Sequence, residues 1–76
     1  MSIEVLMPQL GWSMEEGTLH SWLVDDGAIV SEGQALYIVE TDKAETEIQA
    51  PASGVVRFRG TAGEVYPVGT CVAEIE

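Results

Sequence analysis

Gly33-Gln34-Ala35-Leu36-Tyr37-Ile38-Val39-Glu40 returns thirty-six positions later as Gly69-Thr70-Cys71-Val72-Ala73-Glu74-Ile75-Glu76. In both copies a glycine opens a run of apolar residues that closes on a glutamate. The match continues upstream, where Gly27 and Gly33 stand six apart, as do Gly63 and Gly69, with the branched residues Ile29 and Val65 in the same place between them. Further back, Glu4-Val5-Leu6-Met7-Pro8 parallels Glu47-Ile48-Gln49-Ala50-Pro51, and each leads through a loop to a glycine that opens a strand, Gly17 or Gly54. The chain reads as one four-strand unit written twice, each copy too short to fold alone.

Short β-rich runs at 3–7, 17–24, 28–30, 35–41, 45–49, 54–59, 64–66 and 71–76 are separated by Gly, Pro, Asp and Ser, which predicts an all-β sandwich or barrel. Leu19, Trp22 and Leu23 have helical spacing, but Gly17 and Gly27 bracket too short a stretch, and Asp25-Asp26-Gly27 is a turn signal because glycine reaches φ > 0 without steric cost. A strand is expected there. Strand alternation turns Glu74 to solvent and Ala73 and Ile75 inward, so by correspondence Tyr37 and Val39 face in and Ile38 faces out. An outward isoleucine is a demanding test of the repeat.

Seventy-six residues make one domain, 1–76, with a single thin core, since a chain of this size removes only about 60% of its unfolded surface from water. Thirteen acids against three basic residues give a formal charge of -10. Nucleic acid and anionic membrane would both repel such a chain, whereas basic patches on other proteins would attract it. Cys71 is the only cysteine, which excludes an internal disulfide and is expected as a small buried residue. The start, Met1-Ser2-Ile3-Glu4, carries neither a basic stretch nor an Arg-rich leader, and no run approaches the ~20 apolar residues of a membrane span. The expectation is an intracellular protein, or one from which a leader has been removed.

Most catalytic chemistry lacks its parts. His20 is the only histidine, leaving no His pair for a metal and no Cys-His or Ser-His-Asp set, and it is expected as an exposed polar residue. Paired carboxylate catalysis needs desolvation that a thin domain scarcely offers. Gly60-Thr61-Ala62-Gly63 lacks the following helix that a phosphate loop uses and reads as a turn.

Lys43 is the only lysine, alone among Glu40, Asp42, Glu45 and Glu47 where the two copies meet. Thr41-Asp42-Lys43-Ala44 suits a tight hairpin turn that would present the amine at a protruding tip. Such a lysine is better placed as the target of a modifying enzyme than as a catalyst, although one lysine among acids could equally relieve charge repulsion. The copies differ most between Pro8 and Gly17, where six extra residues fall within Gln9–Glu16. Leu10, Trp12 and Met14 in that loop either cap the core or form a contact surface.

Glu40-Thr41-Asp42-Lys43-Ala44, followed by Pro51 and Gly54 and preceded by Gly33, resembles the lipoyl domains of 2-oxo acid dehydrogenase complexes, which belong to the biotinyl/lipoyl family. The resemblance extends to Met7-Pro8, Glu16-Gly17, the Trp22 strand and the Gly27 turn. It implies a flattened β-barrel, a barrel-sandwich hybrid of two four-stranded antiparallel sheets with quasi-two-fold symmetry. It further implies that a lipoate-attaching enzyme acylates Lys43, with Asp42 and Ala44 as flanking recognition residues. The lipoyl arm then takes an acyl group from a thiamine-diphosphate decarboxylase (E1), passes it to an acyltransferase core (E2), and is reoxidised by dihydrolipoyl dehydrogenase (E3). The domain, a monomer when isolated, would itself catalyse nothing.

By the same resemblance, the loop of Leu10, Trp12, Ser13, Met14, Glu15 and Glu16 contributes to decarboxylase recognition, and its form is closer to pyruvate- or acetoin-type complexes than to the 2-oxoglutarate type. The compartment implied is a prokaryotic cytoplasm or the mitochondrial matrix. Two rivals stand beside this reading. A biotin carrier shares the fold but typically has its lysine in Met-Lys-Met, from which Asp42 and Ala44 depart. An unmodified β adaptor would tolerate Lys43→Arg, whereas a carrier would not.

Overall fold

In the computed structural model, residues 2–11, 14–42 and 44–76 are described. The elements are β1 (Ile3–Leu6), β2 (Glu16–Trp22), β3 (Ile29–Val30), β4 (Ala35–Glu40), β5 (Glu45–Gln49), β6 (Gly54–Phe58), β7 (Val65–Pro67) and β8 (Cys71–Ile75). All eight expected strands are present. The competing helical spacing around Trp22 yields to a strand, which ends two residues sooner than expected because Leu23 bends toward the Asp25–Gly27 turn.

The strands form two antiparallel four-stranded sheets, in the orders β1-β8-β6-β3 and β5-β4-β2-β7. Replacing each strand of the first sheet by its repeat partner (β1 by β5, β8 by β4, β6 by β2, β3 by β7) reproduces the second in the same order. The register repeats as well. Glu4 faces Glu74 and Val5 faces Ala73, while Glu47 faces Ile38 and Ile48 faces Tyr37. Both ladders then bulge at the same point, Leu6 meeting Cys71 and Gln49 meeting Ala35. The turns follow suit, since Gly27 and Gly63 have φ of 86° and 94°, and Gly33 and Gly69 have 88° and 93°. Only glycine occupies such a backbone without steric cost.

Between the sheets lies a core whose most enclosed residues include Met7, Leu19, Leu36, Tyr37, Val56 and Ile75. Period-two alternation accounts for it: Tyr37 and Val39 are fully buried while Ile38 between them stays partly exposed, as Glu74 does between Ala73 and Ile75. Tyr37 carries its hydroxyl into this layer, donating to the Leu6 carbonyl at 3.3 Å, and burial pushes its pKa up to about 12. Trp22 stacks on Phe58 and its indole N–H donates to the Gly60 carbonyl.

Cys71 departs from expectation: it is only half-buried. It faces Leu6 at the bulge, where the shift in register gives the inward position to Val72 instead. The symmetry itself breaks at His20. In the second copy Val56, Arg57 and Phe58 pair in step with Ile75, Glu74 and Ala73, but in the first Leu19 faces Val39 and Ser21 faces Ile38, leaving His20 as a bulged extra residue.

Candidate functional site: the β4–β5 hairpin end and its groove

β4 and β5 carry the hairpin that joins the two copies. Glu40 and Glu45 face each other at the end of the ladder, and beyond them the Thr41 amide and hydroxyl both donate to the Ala44 carbonyl, at 2.8 and 3.2 Å. That closure leaves two positions, 42 and 43, to span the turn. Asp42 and Ala44 are exposed. Lys43 itself lies outside the described residues, as do Trp12 and Ser13.

The loop from the end of β1 is held down by methionine. Met14 packs against the core, its Sδ accepts the Leu10 amide at 3.3 Å, and its own amide donates to the Gly11 carbonyl. The Val68 amide donates to the Glu15 carbonyl, fixing the loop's far end to the segment after β7. Gly17 permits this seat: a Cβ there would stand 2.8 Å from Met14 Cε and 2.9 Å from Val39 Cγ1. Met14 caps the core, and Leu10 stays 42% exposed.

Loop and hairpin meet along one open groove. Leu10, Met14 and Val65 give it an apolar strip, and Glu15, Glu16, Glu40, Asp42 and Glu45 line it with carboxylates. Five acids around an open groove produce a negative field that attracts basic surfaces. Of the expected site residues, Leu10, Met14, Glu15, Glu16, Asp42 and Ala44 come together here. Sequence reasoning did not assign Gly11, Gly17, Thr18, Glu40, Thr41, Glu45, Thr46 or Val65 to the site. Thr18 and Val65 were findable, because the repeat pairs β2 with β7 as it pairs β6 with β3.

Outside the hairpin, the outer face of the first sheet is charge-compensated. The Arg59 guanidinium pairs with Glu74, whose other oxygen accepts from the Ser2 hydroxyl, and these two hydrogen bonds hold the Glu74 carboxyl below the usual carboxylate range. Arg57 lies 3.6 Å from Glu76.

Comparison with known proteins agrees with this geometry. The family model described as "Biotin-requiring enzyme" (biotin/lipoyl) matches residues 3–75. The chain is 43% identical over 67 residues to the dihydrolipoyllysine-residue acetyltransferase component of the acetoin cleaving system of Cupriavidus necator, covering 87% of this chain and 18% of that protein. It is 43% identical over 74 residues to the corresponding component of the pyruvate dehydrogenase complex of Mycoplasma capricolum, covering 96% and 17%. Among solved structures, the lipoyl domain of the 2-oxoglutarate dehydrogenase complex from Azotobacter vinelandii superimposes with a TM-score of 0.80 at 25% identity, over 97% of this chain and 95% of that one. The chain belongs to the biotin/lipoyl attachment family. Within it, the relatives and the structural neighbour identify a lipoyl domain of the dihydrolipoyllysine acyltransferase kind. The chain spans under a fifth of the length of those two relatives.

Proposed function

We propose that this domain carries lipoate as an amide on Lys43 and moves acyl groups and reducing equivalents between the enzymes of a 2-oxo acid or acetoin dehydrogenase complex. The observation that carries the reading is the hairpin closure between Thr41 and Ala44, with the chain's only lysine in the two-residue span that it encloses. A hairpin closed between Thr41 and Ala44 on an eight-stranded scaffold offers a ligase one lysine, and one lysine gives one product.

Lipoate supplies a reversible dithiolane at the end of a long arm. The chain's own residues do the rest: the two sheets carry the hairpin, and the acidic groove favours partners with basic entrances. Weak, electrostatically steered contacts suit a carrier that must leave each partner quickly. The partners proposed are a lipoate-attaching enzyme, a thiamine-diphosphate decarboxylase, an acyltransferase core and dihydrolipoyl dehydrogenase. The likeness to acetyltransferase components of acetoin and pyruvate systems supports an acetyl cargo. A prokaryotic cytoplasm or the mitochondrial matrix is the compartment we propose.

Intact mass after incubation with lipoate ligase, ATP and lipoate tests the reading, beside a Lys43→Arg variant and a parallel incubation with biotin ligase and biotin. A single lipoyl increment in the unmodified sequence alone is expected. A biotinyl increment in its place would establish the biotin carrier, and no increment on folded protein would leave an unmodified adaptor.

A further inference from the structure

The bulge at His20 does more than interrupt a ladder. By the repeat, Ser21 against Ile38 holds the place of Arg57 against Glu74, and His20 is the extra residue beside it. Glu40 likewise corresponds to Glu76. On the first sheet Arg57 and Arg59, the chain's two arginines, compensate Glu76 and Glu74. On the second sheet the matching position carries no arginine, and the extra residue sets an imidazole against two carboxylates.

Those carboxylates, Glu40 and Glu45, stand directly opposite one another across β4 and β5, an arrangement that is destabilising for like charges. His20 Nε2 approaches Glu45 Oε2 to 3.6 Å, and one ligand atom from each of His20, Glu40 and Glu45 lies within 4.8 Å of the other two. His20 Nδ1 sits 3.3 Å from the Ser21 hydroxyl. In the tautomer in which Nδ1 donates to that oxygen, Nε2 turns a lone pair toward a carboxylate, acceptor against acceptor. A cation between them resolves both conflicts at once, and a hydrogen bond from the far ring nitrogen is the usual orienting contact of a metal-bound histidine.

We propose that His20, Glu40 and Glu45 form a surface site for a borderline transition-metal dication of the zinc class. One imidazole nitrogen and two carboxylate oxygens favour zinc over calcium or magnesium, which take oxygen ligands alone. Ligand atoms about 2.0–2.1 Å from zinc stand roughly 3.4 Å apart in a tetrahedron. All three side chains are exposed and can close the remaining distance by rotation. With three protein ligands the metal keeps an open position, and it ties β2 to both strands of the hairpin. The site needs no modification of Lys43 and stands or falls apart from the carrier reading.

Titration of the folded domain with Co2+, read by visible d–d absorption, and with Zn2+, read by calorimetry, tests it. One saturable equivalent is expected for each metal. Removing an outer partner of a metal ligand already costs about 10–100-fold in affinity, so His20→Gln and Glu45→Gln should each weaken binding by at least tenfold. Cys71→Ser and Glu32→Gln should bind as the parent does. Circular dichroism of each variant verifies folding. Binding that never saturates, that survives His20→Gln, or that disappears with Cys71→Ser would overturn the proposal.

Discussion

Trp22 and Phe58 stack face to face, ring centroids 3.9 Å apart and planes 11° from parallel, and they are the same residue of the repeat, thirty-six positions apart. The quasi-two-fold axis therefore passes between the two rings. Each copy supplies half of one aromatic contact, so neither can complete its core alone. Trp22→Ala should cost about 3 kcal/mol in urea-induced unfolding. A double-mutant cycle with Phe58→Ala should give a coupling of about 1 kcal/mol, the stacking contribution beyond buried area. Additive losses would mean that the rings touch without supporting one another.

Tyr37 sets an alkaline limit on stability. Burial raises its pKa from the ordinary 10.0 to about 12, so the folded state favours the neutral phenol. The stabilisation is fully present below the unfolded value and is lost as pH rises from about 10 toward 12, in total roughly 2–3 kcal/mol. Chemical denaturation across that range should show the decline. Tyr37→Phe should start lower, having lost the hydrogen bond to Leu6, and should flatten the decline.

Glu74 acts at the acidic end. Its hydrogen bonds to Arg59 and Ser2 depress the folded pKa below the ordinary 4.5, so this contribution is present above the unfolded value and lost as pH falls through the folded one. Glu74→Gln should make the melting temperature less dependent on pH below the ordinary carboxylate pKa. Because the pair is solvent-exposed, added salt should shrink the difference from the parent.

Gly17 couples the barrel to the groove. An added methyl meets both the flexible end of Met14 and the branched side chain of Val39, which is buried and cannot rotate away. Gly17→Ala should therefore destabilise by about 1–3 kcal/mol. It should also move the Leu10 and Met14 resonances in a heteronuclear spectrum more than those of the distant β6–β8 ladder.

Much of this was legible in the sequence, and the repeat is the reason. Ile38 could be turned outward against its hydrophobicity because Glu74, its counterpart, has only one comfortable direction. Leu10, Met14, Glu15 and Glu16 were assembled with Asp42 and Ala44 from the family resemblance, and the structure brings those residues to one groove. Repeat logic fails where the copies differ. The bulge at His20 shows in the sequence only as a spacing, Gly17 and Gly54 standing thirty-seven apart where Gly27 and Gly63 stand thirty-six, which marks an extra residue without saying that it brings His20 to Glu45. Cys71 was misjudged for a related reason, since a bulge beside Leu6 shifts which residue of β8 turns inward.

The ladder between β1 and β8 occupies, under the two-fold, the place of the ladder between β5 and β4. Ile3 faces Ile75 as Thr46 faces Val39. One ladder is stitched across its end by residues 41–44, and the other has no covalent stitch between Ile3 and Ile75. Tension applied between Ile3 and Ile75 therefore meets an antiparallel ladder at its open end and peels it one hydrogen-bonded pair at a time, instead of shearing all its bonds together. Mechanically the domain is a zipper, whose teeth part first at a position that the two-fold sets against the lysine hairpin.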